Sequence, residues 1–299
     1  MRRFLSILIT ALAAASGANS QELQPPQIPD SLTATPERTA YLIEHFWDNM
    51  DFADTTMSTN AAFMEQNFAY YASLFPHTDM HKVLPGAASR LLERAQVLRD
   101  AYNLLAETAD TYLYEPESPV ANEEAYRYFL LAITGSGFID PALRVRYRIQ
   151  LEDINKNRPG TIATDFEIKT RNGDTVSLLG KCREAKGTLL IFYDPECHDC
   201  TVLVNELKQD MELTKAVESG HLNIIAVYPE GDEELFANGA KKIPDGWIDG
   251  ISPEGQIIEE ELYSIRSFPT IYLIDSDGTV LIRNAAPVTA VSEAKKLTL

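Results

Sequence analysis

The sequence predicts two halves of different class: an all-α domain, then an α/β domain with a mixed central sheet flanked by helices. Three observations carry this reading. From Pro36 to about Asn155, apolar residues recur at helical spacing. After "NRPG" at 157–160 the pattern changes to apolar runs of strand length. Those runs come in the order strand, helix, strand, hairpin, which is the layout of an α/β domain. The chain is also long for a single hydrophobic core.

The first twenty residues, "MRRFLSILITALAAASGANS", stand apart from both halves. Arg2 and Arg3 form a basic start, Phe4 to Ala15 an apolar stretch, and Ala18-Asn19-Ser20 a small-residue cleavage signature. The stretch is too short to span a bilayer, which takes about 20 residues. We read a secretory signal peptide cut before Gln21, with no cysteine at the cut to carry a lipid. Its removal leaves 24 basic against 44 acidic side chains, a net charge of −20. Such a surface repels phosphate backbones and anionic headgroups, so nucleic acid is excluded as a partner and membrane association is not indicated.

Residues 21–36 are rich in Pro, Gln and Ser/Thr and read as a flexible lead-in. Leu42, Ile43, Phe46, Trp47 and Met50 fall on one face of a first helix, and Leu91, Ala95, Leu98, Tyr102 and Leu105 on one face of a long one. Asn60–Phe75, Asn122–Ile133 and Pro141–Ile154 read as three more, punctuated by Pro85, Pro116, Pro119 and "GSG" at 135–137. The tyrosines, among them Tyr70, Tyr71, Tyr112, Tyr114, Tyr126 and Tyr128, fit a helical core with hydroxyls at its rim better than a peptide groove. His77 and His81 lack a third ligand and read as solvated.

In the second half, "DFEIKTRNGDTVSL" alternates around Asn172-Gly173, a hairpin signal. "GTLLIFY" (187–193), "LNIIAVY" (222–228) and "TIYLID" (270–275) read as buried strands. Thr201 to Val217 reads as one amphipathic helix with Leu203, Leu207 and Met211 on its apolar face. "DSDG" at 275–278 turns the chain into "TVLIR", and "SEAKKL" closes it as a helix.

Three cysteines allow one bridge and one remaining thiol, and exclude a disulfide-stapled scaffold. Cys197 and Cys200, in "IFYDPECHDC", fall where a buried strand meets a helix. A sulfur at a helix N-terminus faces unpaired N–H groups that favour its thiolate. The three-residue spacing lets Cys197 attack a disulfide and Cys200 resolve the mixed disulfide. Three rivals remain at this stage: a structural disulfide, which would close a very short loop and stabilise little; a zinc or copper site, for which Cys182, His198 and His221 offer no recognised spacing; and a peroxidase, whose Thr or Ser three residues before the cysteine is Asp194 here. Cys182, in a turn-like "GKCREAKG", reads as an incidental loop cysteine rather than a relay thiol.

The stretches "PGTIATDFEIKTRNGDTVSL", "LLIFYDPECHDC" and "SIRSFPTIYLIDSDGTV" resemble the TlpA/ResA branch of extracytoplasmic thioredoxin-like proteins, over residues 159–299. The resemblance implies a thioredoxin-like fold and thiol–disulfide exchange with protein clients and a redox partner protein. It also implies a cis proline at Pro269 facing the dithiol, with Phe268 and Thr270 beside it in a substrate groove. No cofactor is implied beyond a redox-active Cys197–Cys200 disulfide. "EGDEELFANGAKKIP" resembles the branch's strand-and-helix insert, and Trp247 is expected to close it against the sheet. Residues such as "NEEAYRYFLLAI" resemble an uncharacterised helical domain found ahead of thioredoxin-like domains in exported bacterial proteins. This chain departs from the family at Glu196, where Trp is usual, and at Ile191 and Leu203, where relatives carry helper acids. Asp194, Glu196 and Asp199 disfavour a thiolate at Cys197, while the helix start and a protonated His198 favour it. We therefore take His198, Glu196 and Asp199 as tuning residues and lean toward a reductant.

The expected organisation is a signal peptide (1–20), lead-in (21–36), helical domain (37–157) and thioredoxin-like domain (158–299). The expected function is periplasmic or secreted thiol–disulfide oxidoreduction. A catalytically silent binding module or a copper/metal-handling protein is the alternative, and the helical domain is a candidate for self-association.

Overall fold

The computed structural model describes residues 22–239 and 243–298, so the signal-peptide reading lies outside the described residues. The chain divides into two compact units, 1–151 and 152–299.

The first unit is all-α. Its helices are α1 (Thr35–His45), α2 (Thr55–Ser58), α3 (Ala61–Ser73), α4 (Met80–Ala95), α5 (Arg99–Leu113), α6 (Glu123–Gly135) and α7 (Pro141–Asn155), the last ending beyond the division. The helix starts that sequence predicts at Asn60 and Asn122 are capped by those side chains, which accept from Phe63 N–H at 3.2 Å and Ala125 N–H at 2.9 Å. Four expectations need correction. The single long helix through Leu91 and Leu105 is two, because Leu98 is extended (φ −139°, ψ 122°). Pro85 lies inside α4 instead of bounding it. Tyr71 and Tyr126 are fully buried, not at a rim; Tyr71 meets Phe75 edge-on at 5.0 Å, and the Tyr126 hydroxyl donates to Asp110. The lead-in is anchored where Leu23 is buried and its N–H donates to Asn67 Oδ1 at 3.0 Å. His81 bonds Tyr128 Oη at 2.9 Å, while His77 sits in a separate short 3₁₀ turn.

The second unit holds a seven-stranded sheet in the order β2-β1-β5-β4-β3-β6-β7. Its elements, in chain order, are β1 (Glu167–Thr170), β2 (Thr175–Ser177), α8 (Leu178–Cys182), β3 (Gly187–Phe192), α9 (His198–Gln209), α10 (Met211–Glu218), β4 (Leu222–Tyr228), α11 (Glu233–Asn238), β5 (Ile248–Ile251), α12 (Gln256–Glu259), β6 (Thr270–Asp275), β7 (Val280–Ile282) and α13 (Pro287–Thr298). β3 is parallel to β4 and antiparallel to β6, so the sheet is mixed as expected. Asn172-Gly173 makes the β1–β2 turn with Gly173 at φ 89°, where glycine carries no steric penalty.

β3 is buried along its whole length, and its alternation builds two cores. Leu190 and Phe192 join Ile225, Val227, Tyr263 and Tyr272 on one face. Leu189 and Ile191 join Leu203, Leu207, Leu213, Ala290 and Ala294 on the other. Trp247 packs on this second core. The helix expected over Thr201–Val217 is two. Asp210 is extended and its carboxylate accepts from Glu212 and Leu213 N–H, ending α9 and capping α10. That break turns Met211 outward, 72% exposed, against its expected place on the apolar face. Cys182 is no loop residue: it ends α8 and is fully buried in the first core. Among the described residues no helix is long and apolar enough to cross a membrane.

Candidate functional site

β3 delivers the chain to the C-terminal end of a central strand, where Tyr193 N–H still bonds Val227 O at 3.1 Å. Asp194 shapes the turn that follows: its carboxylate accepts from Glu196 N–H and its carbonyl from Cys197 N–H. Cys197 is therefore the N-cap of α9, with its Sγ accepting from Cys200 N–H at 3.1 Å. The sulfur occupies the position where a Ser or Asp oxygen would satisfy an orphan donor, which is also the position that best supports a thiolate.

The two sulfurs differ in access. Cys197 is partly exposed, and Cys200 is 3% exposed, packed with Tyr193, Ala226, Tyr228, Phe236 and Ile251. Burial, with the neighbouring Cys197 sulfur adding to it, pushes the Cys200 thiol up to about 12. An accessible sulfur in front of a buried, protonated one suits attack followed by resolution.

The segment leading into β6 supplies the opposite wall. The Phe268–Pro269 peptide is cis, and Phe268 O lies 3.6 Å from Cys197 Sγ. Structure thus brings Cys197, Cys200, Phe268 and Pro269 together from segments 71 residues apart. Thr270 is placed differently from a groove residue: it is 1% exposed, and its hydroxyl donates to Ser267 O at 2.6 Å, bracing the turn from behind. Glu196, His198 and Asp199 are exposed around Cys197, and none of these side chains has a partner among the described residues. Nor do the described residues hold a cluster of three or more metal-ligating side chains.

Sequence reasoning missed a half-buried charge pair behind the dithiol. Asp249, on β5, accepts from Tyr193 Oη at 2.8 Å and from Arg171 Nε. Arg171 also donates to Phe236 O at 2.7 Å and stacks 3.7 Å over the Phe236 ring. Tyr193 and Phe236 are both packed against Cys200, so this network pins two walls of its pocket. Burial raises the Asp249 carboxyl, against the pull of Arg171 and Tyr193. The sequence signal for this segment is the short alternation in "WIDGI".

Comparison with known proteins gives the family of the chain. A crystal structure of a thioredoxin-like protein from Bacteroides caccae is 30% identical, with a TM-score of 0.85 over 93% of this chain and 99% of its own. The chain belongs to the thioredoxin-like proteins. Residues 182–290 match the family model described as a thioredoxin-like domain, and residues 9–157 match a domain of unknown function, DUF5106. Two further solved structures cover only part of the chain. A conserved protein of unknown function from Bacteroides fragilis is 32% identical, with a TM-score of 0.43, over 46% of this chain and 98% of its own. The thioredoxin domain of a thiol-disulfide oxidoreductase from Bacteroides vulgatus is 20% identical, with a TM-score of 0.41, over 47% and 98%. No curated protein matches the chain. The thioredoxin-like fold expected for the second half is thereby shown, together with a helical domain ahead of it.

Proposed function

We propose that this protein is a thiol–disulfide oxidoreductase that works on protein disulfides outside the cytosol. The observation that carries the reading is the position of Cys197. Its sulfur is partly exposed, caps a helix N-terminus, and lies 3.6 Å from the carbonyl beside a cis proline, with Cys200 buried behind it.

In the reducing direction, the Cys197 thiolate attacks one sulfur of a client disulfide, and the other client sulfur leaves and takes a proton from water. A mixed disulfide joins Cys197 to the client. Cys200 then loses its proton and attacks Cys197 Sγ, and the second client thiol is released. The chain ends as a Cys197–Cys200 disulfide, two electrons having passed to the client. A reduced dithiol partner protein must return them. The backbone edge beside Phe268 and Pro269 offers the client main chain a place to dock. No group other than the cysteine pair is needed.

Of the two directions we propose the reducing one, with Asp194, Glu196 and Asp199 placing negative charge around the dithiol. The leader at 1–20 supports export to the periplasm or beyond. The test is insulin reduction by the full chain, with Cys197→Ser as control, and the redox potential of the pair. Turnover that vanishes in the variant, with a potential nearer about −270 mV than about −120 mV, is the expected result. Accessible thiols with no exchange in either direction would leave a binding module on the same fold.

A further inference from the structure

We propose that the groove between α9 and α13 is a docking surface for the client polypeptide, and that it selects segments in which an apolar side chain is followed by a basic one. This rests on the reading of Cys197 and Cys200 as a dithiol acting on protein clients.

The groove encloses about 380 Å³ and is walled by Leu203 and Leu207 from α9 and by Val288 and Val291 from α13. Leu203 stands three positions after Cys200, one helical turn, so the groove begins directly behind the dithiol. Its far end is closed where Lys295 of α13 pairs with Asp210 Oδ2 at 2.6 Å and Glu212 Oε2 at 3.1 Å. From Leu203 to Asp210 is a rise of about 10 Å, the length of three extended residues. The groove thus starts one helical turn beyond Cys200 along α9.

Two features point to what fills it. Val288, at the mouth, is 83% exposed, a β-branched apolar side chain left in water at the lip of an apolar channel. The rim is acidic: Glu206 is exposed with no ion pair among the described residues, and Asp210 and Glu212 share the single ammonium of Lys295. Glu196 and Asp199 extend that charge to the dithiol end. An apolar floor under a net negative rim complements an apolar residue followed by Lys or Arg. A second copy of this chain, with its net charge of −18, meets the same rim with repulsion.

The test uses the full chain and a fluorescein-labelled peptide Gly-Ser-Leu-Val-Lys-Gly, with serine in the cysteine position so that no exchange occurs. Anisotropy should show it binding at least tenfold more tightly than the Leu-Val-Glu and Gly-Ser-Lys versions, the loss expected for two unburied apolar side chains or one reversed charge. Glu206→Lys and Val288→Asp, both surface changes whose folding is checked by circular dichroism, should each weaken it at least fivefold. Equal binding of the three peptides, no binding, or indifference to both substitutions overturns the proposal. So does self-association of the wild type, seen by sedimentation, that Val288→Asp abolishes, since a second copy would then own the groove. Failure of the dithiol reading would appear in insulin turnover and not in this binding measurement.

Discussion

Cys200 should react with iodoacetamide at least about fifty times more slowly in the native, reduced protein than in the same chain unfolded in urea. The magnitude follows from its burial. A thiol pushed up to about 12 is about one part in 10⁴ ionised at pH 8, against about a quarter for an ordinary thiol near 8.5. The thiolate is the nucleophile, so this costs a factor of about 2,000. The more basic thiolate is intrinsically more reactive, and a Brønsted slope of about 0.4–0.5 returns about 40-fold. About fifty-fold remains, and the 3% exposure of Cys200 slows it further. The assay is timed alkylation over pH 7–10, with tandem mass spectrometry separating Cys197 from Cys200. The native Cys200 rate should climb tenfold per pH unit without levelling. A plateau below pH 10, or a native rate within fivefold of the unfolded one, would refute the placement of this sulfur. The same shift has a stability sign: its contribution is fully present below about pH 8.5 and is lost as pH rises toward about 12, because the unfolded chain gives up the proton first.

Three other outcomes are expected. Cys200→Ser should accumulate a covalent mixed disulfide between Cys197 and an insulin chain, visible on non-reducing gels, whereas Cys197→Ser should trap nothing. Asp249→Ala removes the acceptor of Tyr193 and Arg171, and as Arg171 keeps 21% of its side chain exposed, urea unfolding should show a loss of about 2–3 kcal/mol, below the 3–5 of a fully buried pair. Gly250→Ala would put a Cβ into Ile168 Cγ2 and 3.0 Å from Lys169 O, where β5 meets β1; thermal melting should register a loss of about 1–3 kcal/mol, and no change would mean the two strands are not in this register.

Where sequence and structure diverged, the missing signals have physical causes. The break between α4 and α5 passes unseen because Leu98 caps α5 with backbone alone, and a three-residue interruption keeps the apolar spacing in phase. The break between α9 and α10 did carry a signal, the Asp210 cap, which the continuing apolar pattern masked. β5 is four residues long and only partly buried at its start, too short for alternation to stand out. The Gly- and charge-rich neighbours of Cys182 point to a loop, whereas its burial comes from β3 and β6 packing over α8.

The sequence by itself determined the class of the second half, the strands at 187–193 (ending at 192 in the structure), 222–228 and 270–275, and the pairing of Cys197 with a helix start. All of these are local: apolar runs, a spacing of three, and turn residues act through neighbours along the chain. Tertiary structure alone decided that Cys200 is buried while Cys197 is not, that Phe268 O stands against Cys197 Sγ, and that Asp249 of β5 and Arg171, just after β1, together hold the pocket. Each depends on segments tens of residues apart meeting at one end of the sheet, and strand order, which sets those meetings, leaves no periodicity in the chain.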